Sequence, residues 1–272
     1  MIRGVTMKIG VTLVGLVAGM ALLSFLWTPY DPLAIDAGRS LAPISLSHPL
    51  GTDLLGRDVL SNLIVGTRAT LFVALFSVAI AMLVGVVAGV TGALLGRRAR
   101  SALIFAIDIV LALPGVLVAI VLAAVYGPST ITATIAIGIA LSAAVAQVTR
   151  RAAMSILTED FVIASFAAGA SKRQMVTRHL LPNLRANLLV QASGAAAIAI
   201  LAESTLSYLG LGTVPPTPSW GRMLAESQQF LILDPLVALW PGAFIALAVL
   251  GFNLLGDGLR EVLDPTIGSD PK

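Results

Sequence analysis

The chain has 272 residues, 57% hydrophobic and 11% charged, with 17 lysine and arginine residues against 14 aspartate and glutamate, a formal net charge of +3. Soluble domains carry about 25% charged residues, and a chain of this size still exposes much surface, so a soluble globular domain is excluded and lipid must be part of the solvent. The chain has no cysteine, which excludes disulfides, thiolate metal sites and cysteine catalysis.

An uncharged stretch of about 18 or more residues can cross the hydrocarbon core as a helix. The first such stretch is 9–30, preceded by Arg3 and Lys8. Its apolar run exceeds the core of a signal peptide, about 7–15 residues, and no small-x-small site closes it before Tyr30-Asp31-Pro32; a retained helix is favoured over a cleaved leader. A polar segment, 31–67, leads to the second span, 69–96. Residues 109–149 are too long for one helix and divide at Gly127-Pro128-Ser129; the first of the two begins near Ser101 and takes in Asp108. The fifth span is 186–206, with Glu203 near its far end, and the sixth is 235–256.

Six spans place both termini on one side. With the N-terminus inside, the inner segments hold 13 basic residues: Arg3, Lys8, Arg97, Arg98, Arg100, Arg150, Arg151, Lys172, Arg173, Arg178, Arg185, Arg260 and Lys272. The outer segments hold 4, namely Arg39, Arg57, Arg68 and Arg222. Cytoplasmic loops carry the basic excess, so the orientation is N-in, C-in. Trp27, Tyr30, Tyr126, Tyr208, Trp220 and Trp240 fall at or near the outer boundary, as an aromatic belt would. The sequence pI of about 9.7 is thereby accounted for by loops facing the cytoplasm, with no nucleic-acid partner implied.

The inner connection 150–182 is too long to be a turn. Thr158-Glu159-Asp160 predicts a helix start with a hydroxyl cap, and the helix runs to a stop at Gly169. Ser171 with Gln174 has capping-box spacing, and Pro182 is expected to end the second helix. Ala164, Ser165, Ala168 and Gly169 form a small-residue face open to another surface, while Lys172 and Arg173 oppose the helix dipole unless an external partner or anionic lipid compensates. The alternative is an amphipathic hairpin resting on the bilayer through Phe161, Leu180 and Leu181.

At this point the sequence resembles a known family. Phe-Val-Ile-Ala-Ser-Phe-Ala-Ala-Gly-Ala-Ser at 161–171, followed by Arg-His-Leu-Leu-Pro-Asn at 178–183, is similar to the EAA loop of ABC-importer permeases. His-Pro-Leu-Gly-Thr-Asp-Leu-Leu-Gly-Arg-Asp-Val-Leu-Ser at 48–61 resembles the C-type subunit of dipeptide, oligopeptide and nickel importers. So do the blocks at 203–212, 215–221, 252–260 and 263–265. The resemblance implies an all-α integral membrane fold of six transmembrane helices, N-in and C-in, with a cytoplasmic coupling-helix loop. Its parts are 1–30, the N-terminal tail and first helix; 31–67, extracytoplasmic; 68–256, the transport core with the coupling loop 150–183; and 257–272, a cytoplasmic tail.

The resemblance further implies half of a translocation path for short peptides in a cell-membrane, multi-pass ABC importer. The partners it implies are a homologous second permease subunit, ABC ATPase subunits that hold the ATP and Mg, an extracytoplasmic solute-binding protein and membrane lipid. The positions matching the coupling loop are Ala164, Ser165, Ala168, Gly169, Ala170, Ser171, Lys172, Arg173, Arg178, His179 and Pro182. Ile163-Ala164-Ser165 stands where the name-giving Glu-Ala-Ala would be, so coupling should rest on shape and on the three basic residues. In the Gly- and Pro-rich outer loop, Pro215, Pro216, Pro218 and Trp220 are the expected docking residues for the binding protein.

Single polar residues carry narrower expectations. Asp108 is expected to pair with the arginines at 97–100, the alternative being a functional carboxylate in the membrane. Glu203 is expected in interfacial packing, the alternative being the outer mouth of the path. Asp53, Arg57 and Asp58 suit local ion-pair and capping roles, and Pro114-Gly115 and Pro241-Gly242 suit kinks or hinges. His48 and His179 lie on opposite sides and cannot share a site. No Gly-x-x-x-x-Gly-Lys-Ser/Thr run occurs, so the chain is expected to be no enzyme and to bind no cofactor of its own. A secondary transporter or channel subunit is the alternative, but it should show inverted repeats and mid-membrane polar residues.

Overall fold

The computed structural model describes residues 4–263, and Arg3, Asp264, Pro265 and Lys272 lie outside them. The chain is helical throughout its apolar stretches: α1 (Val5–Leu23), α2 (Val59–Leu94), α3 (Arg97–Ala112), α4 (Gly115–Tyr126), α5 (Thr130–Ile156) and α6 (Asp160–Ala167) come first. A short α7 (Lys172–Gln174), a π-helical stretch (Met175–Leu180), α8 (Leu181–Tyr208), α9 (Trp220–Ser227) and α10 (Leu236–Leu263) follow. Among the described residues α1, α2, α5, the run 172–208 and α10 are each long and apolar enough to cross a membrane.

α3 and α4 pass that test only as a pair, bent by 83° at their junction. The expected kink at Pro114-Gly115 is therefore a break. Pro114 has no N–H to continue α3 and drives Leu113 out of the helical region, to ψ 124°, so α3 stops at Ala112 and α4 starts afresh. Pro241, by contrast, sits inside an unbroken α10.

Packing inside a bilayer gains nothing from expelling water, so helices associate by close contact between small residues. α2 and α5 form the most extensive such pair. A methyl group at Gly85 would stand 2.6 Å from the Ser142 carbonyl oxygen, and one at Gly89 would stand 2.6 Å from Thr149 Cβ and 2.7 Å from the Ala146 oxygen. Only hydrogen fits at either position. The Ser77 hydroxyl completes the seam by donating to the Thr134 carbonyl oxygen at 2.9 Å. α8 joins α10 through Ser193 Oγ, which donates to the Phe252 carbonyl at 2.7 Å.

Trp220 departs from the expected aromatic belt: it is fully buried at the start of α9. Its Nε1 donates to the Leu63 carbonyl of α2 at 3.0 Å and its ring meets Phe244 of α10 edge-on at 5.8 Å. A loop indole that reaches a backbone acceptor in the core is held by packing and by a satisfied donor together. At the same end Asp58 caps α2 by accepting from the Ser61 N–H at 2.8 Å, and its other oxygen lies 2.9 Å from His48 Nδ1.

The α2–α5 seam sets a direct test. Gly89→Ala should lower the midpoint of thermal unfolding in detergent, at a cost of about 1–3 kcal/mol from overpacking. Gly19→Ala, at a position with nothing within 4 Å, should be neutral or slightly stabilising. Equal midpoints for the two variants would show that the seam is not tight.

Candidate functional site

The segment between α5 and α8 is built by ordinary helix-end chemistry, with two corrections to the expected pattern. Thr158 does not cap α6; its hydroxyl donates back to the Ser155 carbonyl at 2.7 Å and finishes the last turn of α5. Glu159 takes the N-cap position through its backbone, accepting from Val162 N and Ile163 N at 3.0 and 3.1 Å. At the far end Gly169 N donates to Phe166 O and Ala170 N to Ser165 O, at 3.0 and 3.1 Å, which is the Schellman pattern. Gly169 supplies the required left-handed residue, φ +86°.

Ser171 and Gln174 form the expected capping box: Ser171 N donates to Gln174 Oε1 at 2.9 Å, and Gln174 N to Ser171 Oγ at 3.3 Å. Pro182 does not end the helix begun there. The chain runs on as one helical rod to Tyr208, because the π-helical stretch widens the turn before the proline. Leu181 N bonds to the Val176 carbonyl five residues back, and Asn183 Nδ2 donates to the His179 carbonyl at 2.6 Å.

One side of this segment is anchored. Val162, Met175, Leu180 and Leu184 are buried against Val90 and Ala93 of α2 and Ala153 of α5. Leu180 therefore belongs to the core and cannot rest on the bilayer. Ser165 Oγ lies 3.1 Å from His179 Nε2, and the His179 ring packs 5.9 Å from that of Phe161, which ties α6 to the π-helical stretch. The other side is open: Ala164, Ala168, Gly169, Lys172, Arg173, Arg178 and Pro182 are exposed, and Ser165, Ala170 and His179 are half-buried. Phe161, Ile163 and Phe166 are also exposed, at 48%, 54% and 43%. The last two were not among the residues singled out from sequence; their spacing along a short helix marks them as apolar without saying which way they face.

The opposite end of the bundle is polar and cross-braced. Arg57 Nε lies 2.6 Å from Asp53 Oδ2 and its NH2 2.6 Å from Glu226 Oε2; Arg222 Nε donates to Glu226 Oε1 at 2.7 Å. Burial works against the charge on Arg57, yet Asp53 and Glu226 outweigh it and raise its pKa above the ordinary value. Asp53, Arg57 and Asp58 do perform the expected pairing and capping, but Glu226, far off in the sequence, carried no signal that it would join them. Pro215 and Pro216 are exposed and Pro218 is half-buried, whereas the buried Trp220 offers no surface to a docking protein.

Glu203 is fully buried, and accepts from Ser207 Oγ at 2.7 Å and from Thr70 Oγ1 at 3.2 Å, so it packs between α8 and α2. Asp108 is exposed and makes no ion pair among the described residues. Eight or more residues of straight helix, about 12 Å, separate it from the arginines at 97–100, and Arg100 instead donates to the Ala93 carbonyl at 3.0 Å. His48 and His179 stand at opposite ends of the bundle.

Residues 81–269 match the family described as binding-protein-dependent transport system inner membrane component. The chain is 41% identical over 245 residues to the di/tripeptide transport system permease protein DppC of Pseudomonas aeruginosa, covering 88% of this chain and 81% of that one. It is 33% identical to the nickel transport system permease protein NikC of Escherichia coli, over 96% of this chain and 94% of the other. A solved structure titled as inward-facing conformations of the MetNI methionine ABC transporter shares the fold, with TM-score 0.62 at 18% identity, covering 74% of this chain and 96% of that one. With a match across most of its length and relatives spanning nearly all of it, this multi-pass membrane chain belongs to the family of binding-protein-dependent transport system inner membrane components, the permease subunits of ABC transporters.

Proposed function

We propose that the chain forms half of a translocation path for short peptides and that the segment 160–182 couples it to ATPase subunits on the cytoplasmic face. The observation that carries this reading is the two-sided build of that segment: Val162, Met175 and Leu180 lock it to α2 and α5 while its other side stays open. A partner pushing on the open side moves the ends of two spans directly. The open side combines the shallow surface of Ala164, Ala168 and Gly169 with Phe161, Ile163 and Phe166 and with the basic Lys172, Arg173 and Arg178. That suits a groove with apolar walls and an acidic rim.

On this reading six spans, with the broken α3–α4 pair as one, leave both termini inside. Segment 31–67 and the Pro215, Pro216 and Pro218 loop then face a solute-binding protein, while 257–272 is cytoplasmic. ATP and Mg are held by the partner ATPase subunits, and a homologous second permease subunit closes the path. Peptide cargo is supported by the di/tripeptide relative, and its side-chain preference is set by the binding protein.

Two measurements test the proposal. The chain has no native cysteine, so Ser45→Cys and Thr217→Cys should react with an impermeant thiol reagent from outside and Ser171→Cys only from inside; external labelling at 171 overturns the topology. Gly169→Ala should cost about 1–2 kcal/mol at the left-handed turn and Gly169→Val somewhat more. A methyl there meets nothing within 4 Å of its own chain, so either variant should insert and fold. The expected outcome is reduced co-purification of the ATPase and uncoupled hydrolysis, worse for Val. Wild-type uptake by Gly169→Val would remove this segment from the coupling role.

A further inference from the structure

Along the half of α8 nearest the loop, Asn183, Asn187 and Gln191 recur at four-residue spacing and so share one face. This face is not covered by the rest of the chain: Asn183 and Asn187 are exposed, and a cleft of about 570 Å³ opens over them. Val148 of α5 borders the cleft on one side, and Arg260 and Leu263 of α10 on the other. Gln191 stands about 12 Å along the helix from Asn183, well inside the span. Its Nε2 is shielded from solvent yet has no hydrogen-bond partner among the described residues. Among the described residues the Asn187 side chain makes no hydrogen bond and Arg260 no ion pair, whereas Asn183 spends one donor on the His179 carbonyl.

Asn187 and Gln191 turned toward lipid would carry a heavy desolvation cost. Elsewhere α8 presents apolar Leu189, Ile198 and Leu201 outward, so the polar face marks a different environment. We propose that this cleft is a peptide-backbone subsite on the water-filled path, with Asn187 and Gln191 pairing to main-chain amides and Arg260 attracting the terminal carboxylate. A carboxamide has both donors and an acceptor, as does each peptide group, so it can engage any short peptide whatever its side chains. A guanidinium suits a carboxylate. Such a site would be selective for the backbone and indifferent to sequence, which fits a path whose cargo is chosen elsewhere. The inference rests on the reading of this chain as a peptide permease subunit.

The test uses the assembled complex of both permease subunits, ATPases and binding protein. Asn187→Cys and Gln191→Cys should react with a trimethylammonium-ethyl methanethiosulfonate in inside-out vesicles at least about tenfold faster than the outward apolar control Leu189→Cys. In proteoliposomes, Asn187→Leu combined with Gln191→Leu should lower dialanine uptake by about tenfold, the loss of two hydrogen bonds. Recovery of the second permease subunit and of the ATPase subunits with the complex should be unchanged. Labelling as slow as at 189 would place the face in lipid, and loss of the second subunit from the double variant would make it a subunit interface; either result overturns the site. Wild-type complex that takes up no dialanine or other short peptide would instead overturn the peptide reading itself, and the subsite with it.

Discussion

Everything else in the molecule hangs on the contact between α2 and α5. In lipid the hydrophobic effect does not draw helices together, and what remains is van der Waals contact, which falls away within a fraction of an ångström. Gly85 and Gly89 let the backbone of α2 come close enough to touch Ser142, Val145, Ala146 and Thr149 without an intervening side chain. With that pair fixed, both ends of the bundle acquire a rigid base. Val90 and Ala93, just beyond the glycines, form the floor on which the 160–182 segment sits, while Leu63 at the other end receives Trp220.

The two ends are finished by different chemistry. One end is fastened by charge and hydrogen bonds: the Asp53, Arg57, Glu226 and Arg222 chain, the His48–Asp58 contact, and the buried Glu203 with its hydroxyl donors. These tie loops distant in sequence to the starts and ends of helices and give a braced surface. At the other end the 160–182 segment is held by apolar burial on one side only. One side is anchored to α2 and α5 and the other stays open; in the proposed coupling role a displacement of the open side would reach both spans. The π-helical stretch adds a widened turn where this segment passes into α8, the helix that also borders the amide-lined cleft.

Composition, the apolar runs and the basic asymmetry were legible in the sequence because lipid imposes them locally. A span must be about 20 residues long and nearly uncharged wherever it lies in the fold. Helix ends were legible where the signal is a side chain bonding to its own neighbours. Ser171 with Gln174 and Gly169 at the left-handed turn are such cases.

What the sequence left undecided were choices between partners. Thr158 and Glu159 could each have capped α6, and the end of α5 claimed the threonine hydroxyl. Pro182 could end a helix or sit in one, and the π-helical turn before it settled the matter. Asp108 had arginines within a dozen residues, but a straight helix holds such neighbours too far apart to pair. Trp220 and Glu203 were placed at a membrane boundary by their position in the chain, and both are buried because α2, packed by its glycines on α5, brings Leu63 and Thr70 to meet them. The sequence by itself determined which segments are apolar enough to cross lipid as helices. The pairing of residues far apart along the chain was decided only by the tertiary structure, because a hydrogen bond or a tight contact depends on which helix stands opposite, and the sequence order does not state that.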